Sequence, residues 1–230
     1  FLIMSQEKQL NAGQKAAAEQ VFNFLLSNEK EMCISGPGGS GKTFLMGDLI
    51  DRVIPEFQAA AEIMGNPNTI DTVEMTATTN KAAEVLGNAT NRPTKTVHSA
   101  FGLVVKSDFR TGAMSLVRGR GWMPKQNTLV FVDEGYCADS QLRNQVIDSC
   151  IGSKVIWVGD HCQLGPVKEQ ISPIHTSGLR TAYLTESHRN KDQPALMAIC
   201  AQLRETVETG VFNPIKEVPG VIDFVDDDQF

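Results

Sequence analysis

Short runs of apolar, often β-branched residues alternate along this chain with longer stretches whose apolar positions recur at helical spacing. A strand buried on both faces reads as a continuous apolar run, whereas the helix that covers it shows one apolar stripe, so the alternation predicts parallel strands joined by crossover helices. Strands are expected near 31–35, 72–77, 128–132, 154–158 and 181–185, and helices near 12–26, 42–53, 56–64, 80–87, 140–150 and 193–209. Pro55 predicts a break between the second and third helices, because proline removes a donor and its ring crowds the preceding turn. The stretch "GLVVKSDFRTGAMSLVRGRGWMP" interrupts the alternation with two short strand-like runs around "SDFRTG", the pattern of an inserted β-hairpin. The expected fold class is therefore α/β, a parallel sheet flanked by helices and carrying a small hairpin.

Composition narrows the picture. The 230 residues are 41% hydrophobic, as in an ordinary globular chain, and no apolar run approaches the roughly 20 residues needed to cross a bilayer. "FLIM" at the start lacks the basic region and cleavage site of a signal peptide, which points to a soluble, cytoplasmic monomer with no membrane partner, in the host cytoplasm if the source is viral. Residues 1–8 read as a leader, with Phe1 to Ile3 ahead of Met4 set aside. The five cysteines, at 33, 137, 150, 162 and 200, form no Cys-x-x-Cys pair and no Cys/His spacing typical of zinc, so neither a zinc site nor a disulfide framework is expected. The net charge of −6 hides an asymmetry: residues 81–126 hold eight basic and two acidic side chains, leaving −12 for the remainder. A solvated charged face and a track for a phosphate backbone both fit such a segment.

The sharpest local signal is "GPGGSGKT". Gly36, Gly41, Lys42 and Thr43 fill the G-x-x-x-x-G-K-[ST] pattern between a predicted strand and a predicted helix, the context in which that pattern binds phosphate. Glycines let backbone N–H groups turn toward phosphate oxygens, and the helix directs the positive end of its dipole at them. Gly38, Gly39 and Ser40 complete the loop and Phe44 follows it. Lys42 would reach the outer phosphates and Thr43 would bind Mg²⁺. The strand "NTLVFVDE" ends in Asp133, a candidate metal ligand, and Glu134, a candidate base for an attacking water. The cofactors implied are ATP and Mg²⁺.

Seven motifs in order, "LNAGQKAA", "GPGGSGKT", "TATTNKAAEVL", "TVHSAFG", "VFVDE", "VGDHCQLGPV" and "LTESHRN", make residues from about 9 to 210 similar to the first RecA-like domain of a superfamily-one DNA helicase of the RecD/Dda-like branch. The resemblance implies a P-loop NTPase fold and 5′ to 3′ movement on single-stranded DNA. It gives Gln14 to adenine recognition, Thr78, Thr79 and Asn80 to a nucleic-acid phosphate, and His98 and Phe101 to single-stranded DNA. It places Gly159, Asp160 and Gln163 beside the nucleotide, with Gln163 as sensor, and Arg189 on the γ-phosphate; a guanidinium fork suits those oxygens. The hairpin occupies the position of a duplex-splitting pin, with Phe109 the stacking candidate and Arg110, Arg118 and Arg120 candidate phosphate contacts. Single-stranded and forked DNA are the implied partners, with replication or recombination proteins as further candidates.

Two motifs depart from the family pattern: Gly135 and Tyr136 follow "DE" where a small residue and serine are usual, and Gly165 replaces a proline. The expected organisation is a RecA-like ATP-binding domain over 9–103 and 127–210, a pin-like hairpin over 104–126, and 211–230 as the start of a linker to a second RecA-like domain that the chain does not contain. Such a chain is expected to bind Mg-ATP but to show little DNA-stimulated hydrolysis. A binding module switched by ATP remains an alternative to the motor; a small-molecule kinase would leave "TVHSAFG" and the Gln163 motif unused.

Overall fold

The computed structural model of the chain describes residues 9–66, 69–163, 165–166, 169, 171–186 and 193–215. Its helices are α1 (Ala12–Leu26), α2 (Lys42–Asp48), α3 (Ile54–Met64), α4 (Asn80–Thr90), α5 (Val97–Phe101), α6 (Ser140–Asp148), α7 (Pro173–Thr176) and α8 (Pro194–Thr209). Six strands form one parallel sheet: β1 (Glu31–Ser35), β2 (Thr72–Ala77), β3 (Thr94–Thr96), β7 (Thr128–Asp133), β9 (Lys154–Gly159) and β10 (Thr181–Tyr183). They lie in the order β10-β1-β9-β7-β2-β3. Beside the sheet are the hairpin β4 (Leu103–Ser107) with β5 (Met114–Arg118), and a short parallel pair, β6 (Lys125–Gln126) with β8 (Cys150–Ile151).

The central strands are buried on both faces, as their unbroken apolar sequences require. Phe131, Ile156 and Val158 pack with Phe24, Leu45 and Phe57 on one side, and Val130, Val132, Val155 and Trp157 pack with Val97, Phe101 and Val146 on the other. Because every strand of this sheet runs the same way, all its C-terminal ends emerge along one edge. Register then brings Ser35 beside Gly159 and Tyr183, and Ala77 beside Asp133 and Thr96. Residues far apart in sequence are thereby gathered on one rim.

Three sequence expectations change. A sixth strand, β3, was not expected, because "TKT" offers no apolar run; as an edge strand it pairs only with β2 and needs none. Pro55 does not end a helix: Lys42 to Met64 stays helical through a π turn at Leu49–Val53, where the Ile54 N–H bonds the Leu49 carbonyl five residues back. The wider turn accommodates the proline, which sits in the first turn of α3. The third change concerns Phe101. It lies four residues after Val97 on α5, so both point inward and both are fully buried. Phe101 is a core residue and cannot stack on a nucleic-acid base.

Phe101→Ala should therefore lower unfolding stability by about 3–5 kcal/mol, the usual cost of emptying a buried aromatic site. Phe109→Ala, at a fully exposed position, should stay within about 0.5 kcal/mol of the parent. Urea denaturation of both variants measures the contrast.

Candidate functional site

The loop between β1 and α2 wraps its own lysine. Lys42 Nζ donates to the Gly36 carbonyl at 2.7 Å and the Pro37 carbonyl at 3.1 Å. Gly36 has no room for a side chain, since a Cβ there would lie 2.7 Å from the Leu184 carbonyl oxygen. Gly41 adopts φ 82° as the N-cap of α2, and no side chain caps that helix. The first N–H groups of a helix have no helical acceptor and point out of its N-terminal end along the axis, so an anion is their natural partner. Ser40 Oγ is buried with no hydrogen-bond partner among the described residues. A hydroxyl without a partner, a lysine and an uncapped helix start fit a phosphate group.

Carboxylates from two other strand ends face the same lysine. Burial holds Lys42 below the usual lysine range, while Asp160, Asp133 and Glu134 oppose that shift. Asp133 ends β7, and burial pushes its carboxyl up to about 6; the Glu134 N–H and Lys42 act against the rise. Glu134 adopts a left-handed conformation, φ 54°, which is uncommon for a residue with a side chain and turns the chain sharply off the strand. Gly135 and Tyr136, which depart from the family pattern, are accounted for by packing. A Cβ on Gly135 would lie 3.1 Å from that of Trp157, and Tyr136 is buried against the His161 and His175 rings.

Several sequence candidates take other roles. Gln14 is buried, and both ends of its amide are used inside the protein. Its Oε1 accepts from the Asn11 N–H at 3.0 Å and its Nε2 donates to the Gly41 carbonyl at 3.3 Å, so it braces the phosphate loop. Thr78 is bound to the end of β7 and the residue after it: its N–H donates to the Asp133 carbonyl at 3.2 Å and its hydroxyl to the Glu134 carbonyl at 3.4 Å. Thr79 caps α4 through the Ala82 N–H, and Asn80 is exposed beside it. His98 is half-buried, and burial lowers its pKa. The Gln163 side chain is exposed, on a turn closed by its own N–H to the Asp160 carbonyl at 3.1 Å. Arg189 lies outside the described residues.

Thr43 and Phe44 line a groove of about 1490 Å³ that runs between α1 and α2 past Gln9, Leu10 and Lys15. On the hairpin, Phe109 stands fully exposed at the tip, next to Arg110, whose N–H is held by Asp108 at 2.8 Å. Gln141 and Gln145 of α6 bond the Leu116 backbone and fix the hairpin base. Arg118 stacks over Trp122 at 4.2 Å.

Sequence reasoning missed Arg204. From α8 it grips the Asp160 carboxylate with two bonds, at 2.9 and 2.7 Å, and holds that acid beside Lys42. The pair is separated by 44 residues, and an arginine in an amphipathic helix carries no local signal.

Among proteins of known sequence and structure, the AAA_30 family, described as an AAA domain, matches residues 9–218. A structure of two coordinating Pif1 helicases at forked double-stranded DNA aligns with TM-score 0.55 and 16% identity, over 85% of this chain and 48% of that one. Pif1 helicase from Candida albicans aligns with TM-score 0.53 and 19% identity, over 85% and 44%. Bacteroides sp Pif1 in complex with ADP-AlF4 aligns with TM-score 0.53 and 16% identity, over 84% and 45%. At these identities the likeness establishes the fold, and the chain spans about half the length of those relatives. A search of curated proteins finds no match. No helix among the described residues is long and apolar enough to cross a membrane.

The raised Asp133 pKa makes a stability prediction. A carboxyl whose folded pKa exceeds its unfolded value stabilises the fold when protonated, so the contribution is full below about pH 4 and is lost as pH rises through about 6. Asp133→Asn should therefore be more stable than the parent at pH 7.5 by about 2 kcal/mol, allowing for partial exposure, with the difference gone by about pH 4. Denaturation of both proteins across that range checks it.

Proposed function

Since the chain belongs to the AAA domain family, we propose that it is the ATP-binding motor domain of a DNA helicase, which hydrolyses ATP to move 5′ to 3′ on single-stranded DNA and open a forked duplex. The observation that carries the reading is the convergence of Lys42, Asp133, Glu134 and Asp160 at one edge of the sheet. Three carboxylates face two cations, Lys42 and Arg204, which leaves negative charge that a divalent metal would offset, and the uncapped start of α2 supplies the anion site beside it.

In this reading Lys42 Nζ exchanges the Gly36 and Pro37 carbonyls for phosphate oxygens, and Ser40 with the first N–H groups of α2 completes the cradle. The Thr43 hydroxyl and the Asp133 carboxylate would hold Mg²⁺, which supplies charge neutralisation at the phosphates when bound. The Glu134 carboxylate takes a proton from the attacking water. Thr78 ties the strand ending in Asp133 to the start of α4, so a change at the phosphates reaches Thr79 and Asn80, the polar helix start offered to a nucleic-acid backbone. Phe109 and Arg110 supply a stacking group and a cation at the hairpin tip, where the last base pair of a fork would meet them.

The test is ATP turnover and fork unwinding by the whole gene product, with and without single-stranded DNA. Added DNA should raise turnover, and Glu134→Gln should lower kcat by roughly 10²-fold or more while ATP still binds. Phe109→Ala should impair unwinding and leave strand-stimulated turnover in place. ATP-dependent strand binding with no turnover would favour the switched binding module, and unchanged unwinding by Phe109→Ala would remove the pin.

A further inference from the structure

Gln141, Gln145 and Ser149 recur at intervals of one helical turn, so they lie along one face of α6 and its C-cap, while Leu142 and Val146 on the adjoining face are buried in the core. All three polar side chains bond to the inserted segment. Gln141 Oε1 accepts from the Leu116 N–H at 3.1 Å, and Gln145 Nε2 donates to the Leu116 carbonyl at 3.4 Å. Ser149 Oγ accepts from Trp122 Nε1 at 2.8 Å. Both backbone polar groups of one hairpin residue are thus held by α6.

A two-stranded ribbon is marginal in water by itself. Here β4 pairs only with β5 and is exposed from Val104 to Ser107, and Phe109 at the tip is fully exposed. The ribbon is anchored at its base, where Leu103 is buried and Leu116 and Trp122 pack against the core. Apolar contact is non-directional, whereas hydrogen bonds to both backbone groups of Leu116 fix the direction in which β5 leaves the domain. The helix that makes these bonds is itself fixed at its start. The Ser140 N–H and hydroxyl donate to Glu169 at 2.8 and 3.1 Å, and the Asp139 carboxylate caps the helix through the Leu142 N–H at 2.8 Å. The turn Gly135–Cys137 joins that start to Glu134 at the phosphate edge.

We propose that Gln141 and Gln145 are positioning residues for duplex opening, which hold the hairpin on α6 so that Phe109 and Arg110 meet a fork at a fixed place relative to the phosphate edge. The proposal rests on the helicase reading above. The two glutamines act through Leu116, not on nucleotide. A hairpin free to swing on its apolar base would give way before a base pair separates, so ATP would be hydrolysed with little opening.

Gln141→Met combined with Gln145→Met separates positioning from folding. Methionine is of similar length, and the change also removes Gln145 Oε1, a buried acceptor with no partner among the described residues. The 230-residue double variant should therefore melt close to the parent; if it does not, Gln141→Met alone, at an exposed position, carries the same test. Amide hydrogen exchange at Leu116 should speed up by roughly fivefold or more, the factor of one net hydrogen bond. In the whole gene product, strand-stimulated ATP turnover should persist while fork unwinding falls by roughly tenfold or more. Gln141→Glu, whose carboxylate still accepts from the Leu116 N–H, should keep both the slow exchange and the unwinding. A parent that opens no fork would remove the helicase reading itself. With a parent that does open forks, equal unwinding by the variant, a fall in turnover that matches the fall in unwinding, or unchanged exchange at Leu116 would each overturn the positioning role alone.

Discussion

A single half-buried ammonium group at the rim of a parallel sheet sets the terms for the rest of this molecule. Removing Lys42 from water is costly, and the protein offsets the cost with two carbonyls of the adjoining loop and the fields of Asp133, Glu134 and Asp160. Those acids can face one lysine because all six strands of the sheet run the same way and deliver their C-terminal ends to one edge. The arrangement is electrostatically unfinished. Asp133 is pushed toward neutrality by burial, Ser40 keeps a hydroxyl without a partner among the described residues, and α2 begins with no side-chain cap. A phosphate with its metal would satisfy all three.

The surrounding structure keeps this rim in place. Gln14 reaches from the start of α1 to the Gly41 carbonyl, and its capping box with Asn11 uses the rest of the amide to hold that start. Arg204 supports Asp160 from the opposite side. Thr78 joins the Asp133 strand to the helix whose exposed start carries Thr79 and Asn80. Short covalent and hydrogen-bonded routes thus join the rim to α4 and α8.

The sheet was legible because buried parallel strands are apolar throughout, and "VFVD" and "VIWVG" show it directly. The phosphate loop was legible because its chemistry needs glycines and a lysine at fixed spacing. What failed to show depends on three-dimensional approach. Phe101 reads as a contact to single-stranded DNA until α5 places it on the inward face with Val97. The Gln14 amide is spoken for only once Asn11 and Gly41 are folded against it. Arg204 bears no local mark, since its partner lies 44 residues away. The edge strand β3 is too short and polar for a periodicity argument.

If the Lys42 ammonium is the center of a phosphate site, nucleotide affinity must rest on it. Calorimetric titration of ATP with Mg²⁺ into the 230-residue chain and its Lys42→Met variant addresses this directly. The account predicts saturable binding by the parent and a loss of at least roughly tenfold in the variant, since a charged hydrogen-bonding partner of the phosphates is removed. Equal affinity in the two folded proteins would contradict it.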